Sequence, residues 1–178
     1  MGMNRENGAN SEVGNRGQQG GAAFLLAQLG AHAAGLFAER IAGLDLTPPQ
    51  AGLLRLMART PGRSQRQLAA DLGMPPSRFV PLADELEERG LIERRKNPND
   101  RRLHALHLTE QGERLLAELH QAGAAHEQHV CEALSPEEHR QLSTLLRRMA
   151  EQHGLSPGVH PGYRSIRPDR PARRSGRE

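Results

Sequence analysis

The sequence predicts a mainly α-helical domain that carries one small β-hairpin, an α+β arrangement in which strands are the minority. Three observations predict it. Apolar residues recur at helical spacing in six segments. Three Ser/Thr-x-x-Gln/Glu boxes mark where helices begin. The period then changes once, to alternation around the turn-prone Asn97-Pro98-Asn99-Asp100.

Residues 1–20 are rich in Gly, Asn and Gln and carry almost no large apolar side chain, so they read as a flexible arm. A first helix over about Ala22–Ala42 places Leu25, Leu29, Ala33, Leu36 and Phe37 on one side. Thr47 with Gln50 opens the next, with Pro48 at the first helical position where a missing N–H costs nothing, and Leu53, Leu54, Leu56 and Met57 fill it. Ser64 with Gln67 opens a short helix containing Leu68, Ala69 and Leu72, stopped by Gly73. "PPSRFVPLADELEERG" then sets Phe79, Leu82, Ala83 and Leu86 at i, i+3, i+4 and i+7, a buried stripe that ends at Gly90.

In "LIERRKNPNDRRLHALHL" two alternating runs flank the turn, with Ile92, Leu106 and Leu108 facing inward. Two longer helices follow, from Glu110 to about Glu132 with Leu115, Leu119 and Ala122, and from Pro136 to about His153 with Leu142, Leu145, Leu146 and Met149. The box Ser135 with Glu138 opens the last. From Gly154 the chain is Pro, Gly and Arg rich and reads as a disordered basic tail to residue 178. The folded unit is therefore about residues 21–153, within which about 47–109 is the candidate DNA-binding core.

Composition narrows the function classes. A single cysteine, Cys131, excludes an intrachain disulfide framework and suits a reducing cytoplasm. Three Phe, one Tyr and no Trp argue against modules that stack bases on aromatic rings. The run "AAFLLAQLGAHAAGLF" is interrupted by Gln28 and His32 and its periodicity continues beyond the A-x-A triplet, so it reads as a helix and not as a secretory signal, and no membrane is implied. Formal charge is only +3, yet Arg89 to Arg102 holds six cations against two acids, and Gly154 to Glu178 repeats that balance. Positive charge gathered in patches is what a polyanion binder needs.

Two short helices joined by "DLGMPP" form a helix-turn-helix, a unit that inserts its second helix into a major groove. Opposite the Phe79 stripe lie Ser77, Val80, Pro81, Asp84 and Glu88, with Arg78 on a flank. The N-terminal half of this face is neutral to basic, so it is the end that suits phosphate. Pro81 removes a helical hydrogen bond, which predicts a local bend. Arg94, Arg95, Lys96, Arg101 and Arg102 crowd the hairpin, where mutual repulsion gives a core nothing and a duplex offers phosphates or a narrow minor groove. Helix-turn-helix plus hairpin is a winged helix.

The stretch from "LTPPQAGLLRLMARTPGRSQRQLAADLGMPPSRFVPLADELEERGLIERR" through "NPNDRRLHALHLTEQGERLLAEL" resembles the winged helix-turn-helix core of the MarR (multiple antibiotic resistance regulator) family. Its most specific parts are "LADELEERGLIERR", the hairpin, and the Leu-Thr-x-x-Gly opening of the following helix. The resemblance implies a homodimer with interlocked terminal helices, a palindromic operator in double-stranded DNA, repression, and a small aromatic or phenolic effector in a cleft. By position it implies Ser77, Arg78 and Val80 in the groove, and Ser64, Gln65 and Arg66 near phosphates. In the wing it implies Arg94, Arg95, Lys96 and Asn97 along the strand, and Asp100 bracing Arg102 while Arg101 or Arg102 enters the minor groove. Pro81 and Val80 depart from the residues common there, so base preference is not inherited.

Other candidates are weaker. His32, Arg40 and Arg55 offer partners for a carboxylate or phenolate. His120, His126, His129 and Cys131 suggest a metal, but the histidines are three apart, not the four of H-E-x-x-H, so they read as solvated or interface groups, and no metal is expected. Cys131 follows Val130 on an apolar stretch and reads as a packed thiol. No nucleophile–base order, phosphate-cradling glycine loop or paired carboxylates in an apolar setting stands out, so the chain reads as a non-enzyme without cofactor. The rival readings are a winged-helix protein-interaction module and an architectural DNA binder without operator preference.

Overall fold

The computed structural model describes residues 20–97, 100–160 and 163, with the backbone alone at 97 and 100–103. The expected arm before Gly20, the tip residues Pro98 and Asn99, and the tail from Arg164 lie outside the described residues. Among the described residues, helices and hairpin follow in the predicted order: α1 (Ala22–Ala42), α2 (Pro48–Arg59), α3 (Gln65–Asp71), α4 (Pro76–Glu88), β1 (Ile92–Asn97), β2 (Asp100–Leu108), α5 (Glu110–Val130) and α6 (Pro136–Gln152).

The boxes read from sequence start three of these helices. Backbone N–H groups of Thr47, Ser64 and Ser135 donate to Gln50, Gln67 and Glu138 at 2.9, 3.0 and 2.9 Å. Ser64 and Ser135 return the favour through their hydroxyl oxygens, each accepting at 3.3 Å. Those contacts with Ser135 hold the Glu138 carboxyl below its ordinary pKa. α4 contains Pro81 in its interior and is helical on both sides of it, so the proline removes one donor without breaking the helix.

The core lies between α2, α3, α4, the hairpin and α5. Leu53, Leu54, Leu68, Leu72, Phe79, Leu86, Ile92, Leu106 and Leu119 are all fully buried, joined by Ile41 from the end of α1. Each such side chain contributes about 1.5–3 kcal/mol relative to exposure. Predicted inward residues Ile92 and Leu106 are buried, and Leu108 packs partly against the cluster. The strands pair antiparallel, Ile92 opposite Leu108 and Arg94 opposite Leu106, with an irregularity after Lys96.

Between wing and α5 the Leu-Thr-x-x-Gly sequence has a mechanical reason. The Thr109 hydroxyl donates to the Gly90 carbonyl at 2.6 Å and accepts from the Gly112 N–H at 3.1 Å. A Cβ on Gly112 would stand 2.0 Å from the Leu91 carbonyl oxygen, so only glycine lets α5 approach the hairpin this closely.

Two departures from the sequence reading concern the ends. α1 is long and apolar enough, by length and composition, to cross a membrane, yet Phe37 and Ile41 at its C-terminal end pack into the core. Part of the stretch after His153 is described and touches the fold. Arg59 Nη1 donates to the Pro157 carbonyl at 3.5 Å, Val159 packs against the core, and Tyr163 is buried in it.

Candidate nucleic-acid interface

The turn between α3 and α4 closes by backbone bonds from Gly73 to the Ala70 carbonyl at 3.0 Å and from Met74 to the Ala69 carbonyl at 2.8 Å. Gly73 adopts φ +63°, the left-handed geometry that ends a helix in this way. α4 thereby leaves with Phe79, Ala83 and Leu86 buried and Ser77, Val80, Pro81 and Glu88 exposed. Arg78 is half-buried on the flank.

The wing is fastened to this helix by Arg94. Its guanidinium pairs with both Asp84 and Glu87, and its backbone N–H donates to Glu87 Oε1 at 3.2 Å. With its amide oxygen turned inward, as a guanidinium that only donates requires, Gln65 accepts from Arg94 Nη2 at 2.8 Å and Nε at 3.0 Å. One side chain therefore ties α3, α4 and β1 together. It also offsets the acidic half of α4, which would otherwise repel phosphate.

Three residues expected near the duplex also make contacts within the protein. Arg94 and Gln65 are engaged inside the protein. Ser64 is buried, with its oxygen committed to the α3 cap, and bridges to Ala105 of the wing. Arg66 is exposed at the start of α3. Arg95 and Lys96 are exposed on β1, and Arg95 also pairs with Glu93. The side chains of Asn97, Asp100, Arg101 and Arg102 lie outside the described residues, and with them the expected Asp100–Arg102 brace. No sequence pattern pointed to the Arg94 clamp, because its partners sit on two other elements.

At the far ends, apolar side chains stand in the open. Phe24, Leu25, Leu26 and Leu29 of α1 are exposed, as are Leu142, Leu145, Leu146 and Met149 of α6 at i, i+3, i+4 and i+7. A solvated stripe of this kind marks a face meant for another surface.

Of the residues expected to meet a small ligand, the structure gathers two. The Arg55 guanidinium lies 5.3 Å from the Phe37 ring centre, and the His126 ring is tilted against Phe37 at a centroid distance of 5.4 Å. Arg40 and Arg55, together with burial as the largest cause, push the His126 pKa below its ordinary value, although Glu127 opposes them. His126 is partly buried and His129 adds to the lowering of its pKa, while the His129 ring faces Glu132 at 3.7 Å. His32 stands exposed earlier on α1. A separate open cleft of about 490 Å³, lined by Ala42, Asp45, Gln50, Glu85 and Arg89 among others, contains none of the three expected residues.

Cys131 is half-buried, and its sulfur lies with Glu127 and His139 in a group whose ligand atoms fall within 4.8 Å of one another. His139 Nε2 and Glu127 Oε1 are 2.7 Å apart. Burial, aided by Glu127, pushes the thiol pKa up, away from reactive thiolate. The histidines singled out from sequence are not its members; His139 and Glu127 meet across the turn between α5 and α6.

Comparison with known proteins places these features in a group. The MarR family model matches residues 44–103. The chain is 38% identical over 112 residues to the putative transcriptional regulatory protein for the hcr operon of Thauera aromatica, covering 63% of this chain and 68% of that protein. Its fold is similar to the transcriptional repressor CouR bound to a 23-mer DNA duplex, with TM-score 0.66 and 32% identity over 83% of this chain and 99% of that one. It is also similar to CouR from Rhodococcus jostii RHA1 bound to p-coumaroyl-CoA, with TM-score 0.61 and 32% identity over 72% and 90% of the two chains.

Proposed function

Because this chain belongs to the MarR family of transcriptional regulators, we propose that it binds a palindromic operator in double-stranded DNA as a homodimer, represses transcription in the cytoplasm, and lets go when a small aromatic or phenolic ligand binds. The observation that carries this reading is the open face of α4, whose acidic half is offset by Arg94, set beside a cationic hairpin. A helix with Ser77, Arg78 and Val80 at its leading end suits base edges, while Arg66, Arg95 and Lys96 suit phosphates. Asn97, Asp100, Arg101 and Arg102 belong to the wing tip of the same reading. Ser64, Gln65 and Arg94 position these elements from the edge of the same surface.

The apolar faces of α1 and α6 support the dimer: a second copy supplies the same stripes in self-complementary form. Arg55 over Phe37, with Arg40 near His126, supports an aromatic anion as the ligand, through stacking and charge together. Selection of bound sequences from a random duplex pool tests the proposal. The expected product is an inverted repeat with half-sites about 10 bp apart; a pool that gains no common sequence contradicts it.

A further inference from the structure

At the corner where α5 meets α6, three side chains of different chemistry converge. Glu127 and Cys131 stand one turn from each other at the end of α5, on one face, and the Cys131 N–H donates to the Glu127 carbonyl at 3.1 Å. The turn that follows is closed by the Leu134 N–H on the Cys131 carbonyl at 2.9 Å. The Ser135 cap then starts α6 and sets His139 in its first turn, with the His139 N–H on the Ser135 carbonyl at 2.9 Å. His139 thereby faces back across the corner. Its Nε2 lies 2.7 Å from Glu127 Oε1, and an imidazole nitrogen, the Cys131 sulfur and a Glu127 oxygen all fall within 4.8 Å of one another.

A thiol, an imidazole and a carboxylate are the donor types that hold zinc. Around a tetrahedral zinc, bound at about 2.0–2.3 Å, two such donors stand about 3.5 Å apart. The nitrogen–oxygen pair must open and the sulfur must close by up to about 1 Å to reach that geometry. Side-chain rotation supplies such a shift, since Cys131 and His139 are half-buried and Glu127 is exposed. A hydrogen bond between His139 and Glu127 accounts for those two groups and gives no role to a sulfur at the same place. The histidine spacing that spoke against a metal in the sequence concerns His126 and His129, which this cluster does not use.

We propose that Glu127, Cys131 and His139 form a binding site for a zinc-like divalent cation that pins the start of α6 to the end of α5. The ion replaces the thiol proton, which is released to solvent, and takes the imidazole lone pair, so the hydrogen bond between His139 and Glu127 is given up. Three protein donors leave the fourth position to water, as suits an ion that exchanges with its surroundings. The consequence falls on the apolar stripe: His139, Leu142 and Leu146 share one face of α6 at i, i+3 and i+7, so holding residue 139 fixes the direction in which that stripe leaves the corner.

The test uses the untagged full chain without DNA, stripped of metal by chelator and kept reduced with a phosphine, and cobalt(II) as the probe. Wild type should take up one cobalt per chain, with a thiolate-to-cobalt charge-transfer band and the intense visible bands of a tetrahedral ion, all removed by added zinc. Cys131→Ser should lose the charge-transfer band, His139→Ala should bind at least about tenfold more weakly, and His129→Ala should match wild type. None of these residues belongs to the buried core, so the variants keep the fold. In zinc-loaded wild type, amide hydrogen exchange from residue 131 to 139 should slow at least about fivefold, and in Cys131→Ser with the same zinc it should not. A wild type without the charge-transfer band, or His139→Ala with wild-type affinity, overturns the site. Zinc bound with exchange unchanged overturns the pinning of α6.

Discussion

The two ends of this molecule are finished to different degrees. In the part that carries α3, α4 and the wing, Leu68, Phe79, Leu86, Ile92 and Leu106 are sealed from solvent by neighbours in the same chain. In α6 no residue is buried at all, and Leu145 is 52% exposed; in α1, Phe24 and Leu29 are 59% and 58% exposed. One region is a closed core and the other is half of one. The reading head therefore holds its shape within a single copy, and the spacing between two heads is left to an interface that only a second copy completes.

Phe79→Ala should break the closed region most severely. Emptying a ring-sized volume beneath the recognition helix costs about 3–5 kcal/mol, independent of protein concentration, and a urea melt at two concentrations checks both points. The open region should respond in the opposite way. Leu145→Glu places a charge on the exposed stripe, leaves the isolated fold little changed, and is expected to turn a dimer into a monomer by sedimentation, with operator affinity falling more than about tenfold as two half-sites become one.

A subtler change sharpens the comparison within the reading head. Arg94→Ala removes the tie between α4 and β1 and exposes the charges of Asp84 and Glu87. Because those carboxylates are partly solvated, the stability loss should be only about 1 kcal/mol. DNA affinity should nevertheless fall, and fall most at low salt where repulsion from the two carboxylates is least screened. An Arg94→Ala protein with wild-type DNA affinity at low salt would show that the clamp is not part of the interface.

The smallest expected effect is a pH dependence. His126 titrates below its unfolded value of about 6.5, so the folded protein binds fewer protons than the unfolded chain as pH falls. Its contribution to stability is whole above that value and is lost as pH drops through the folded pKa. Melting temperature should decline between pH 7 and pH 5, and His126→Gln should flatten that decline.

Much of this was legible in the sequence because it is local. The three capping boxes each span four residues, and the Phe79 stripe and the last helix declare themselves by spacing. The exposed stripe of α6 was visible too, since periodicity records which side is apolar, although not what covers it. The Arg94 clamp was hidden because its value depends on Gln65, Asp84 and Glu87 converging from other elements. Charge counting alone assigned Arg94 to the duplex. The packing of Tyr163 was hidden for a similar reason: the space its ring fills is left by the absence of a side chain at Gly52, which composition cannot reveal.

The most direct test of the whole account is a competition binding assay on promoter DNA beside the protein's own gene, titrated with salt. The account predicts retardation that resists sequence-shuffled competitor, with log K falling linearly against log salt at a slope near −0.9 for each phosphate neutralised. Association that shuffled DNA abolishes equally well, or no association in dilute buffer, would contradict it.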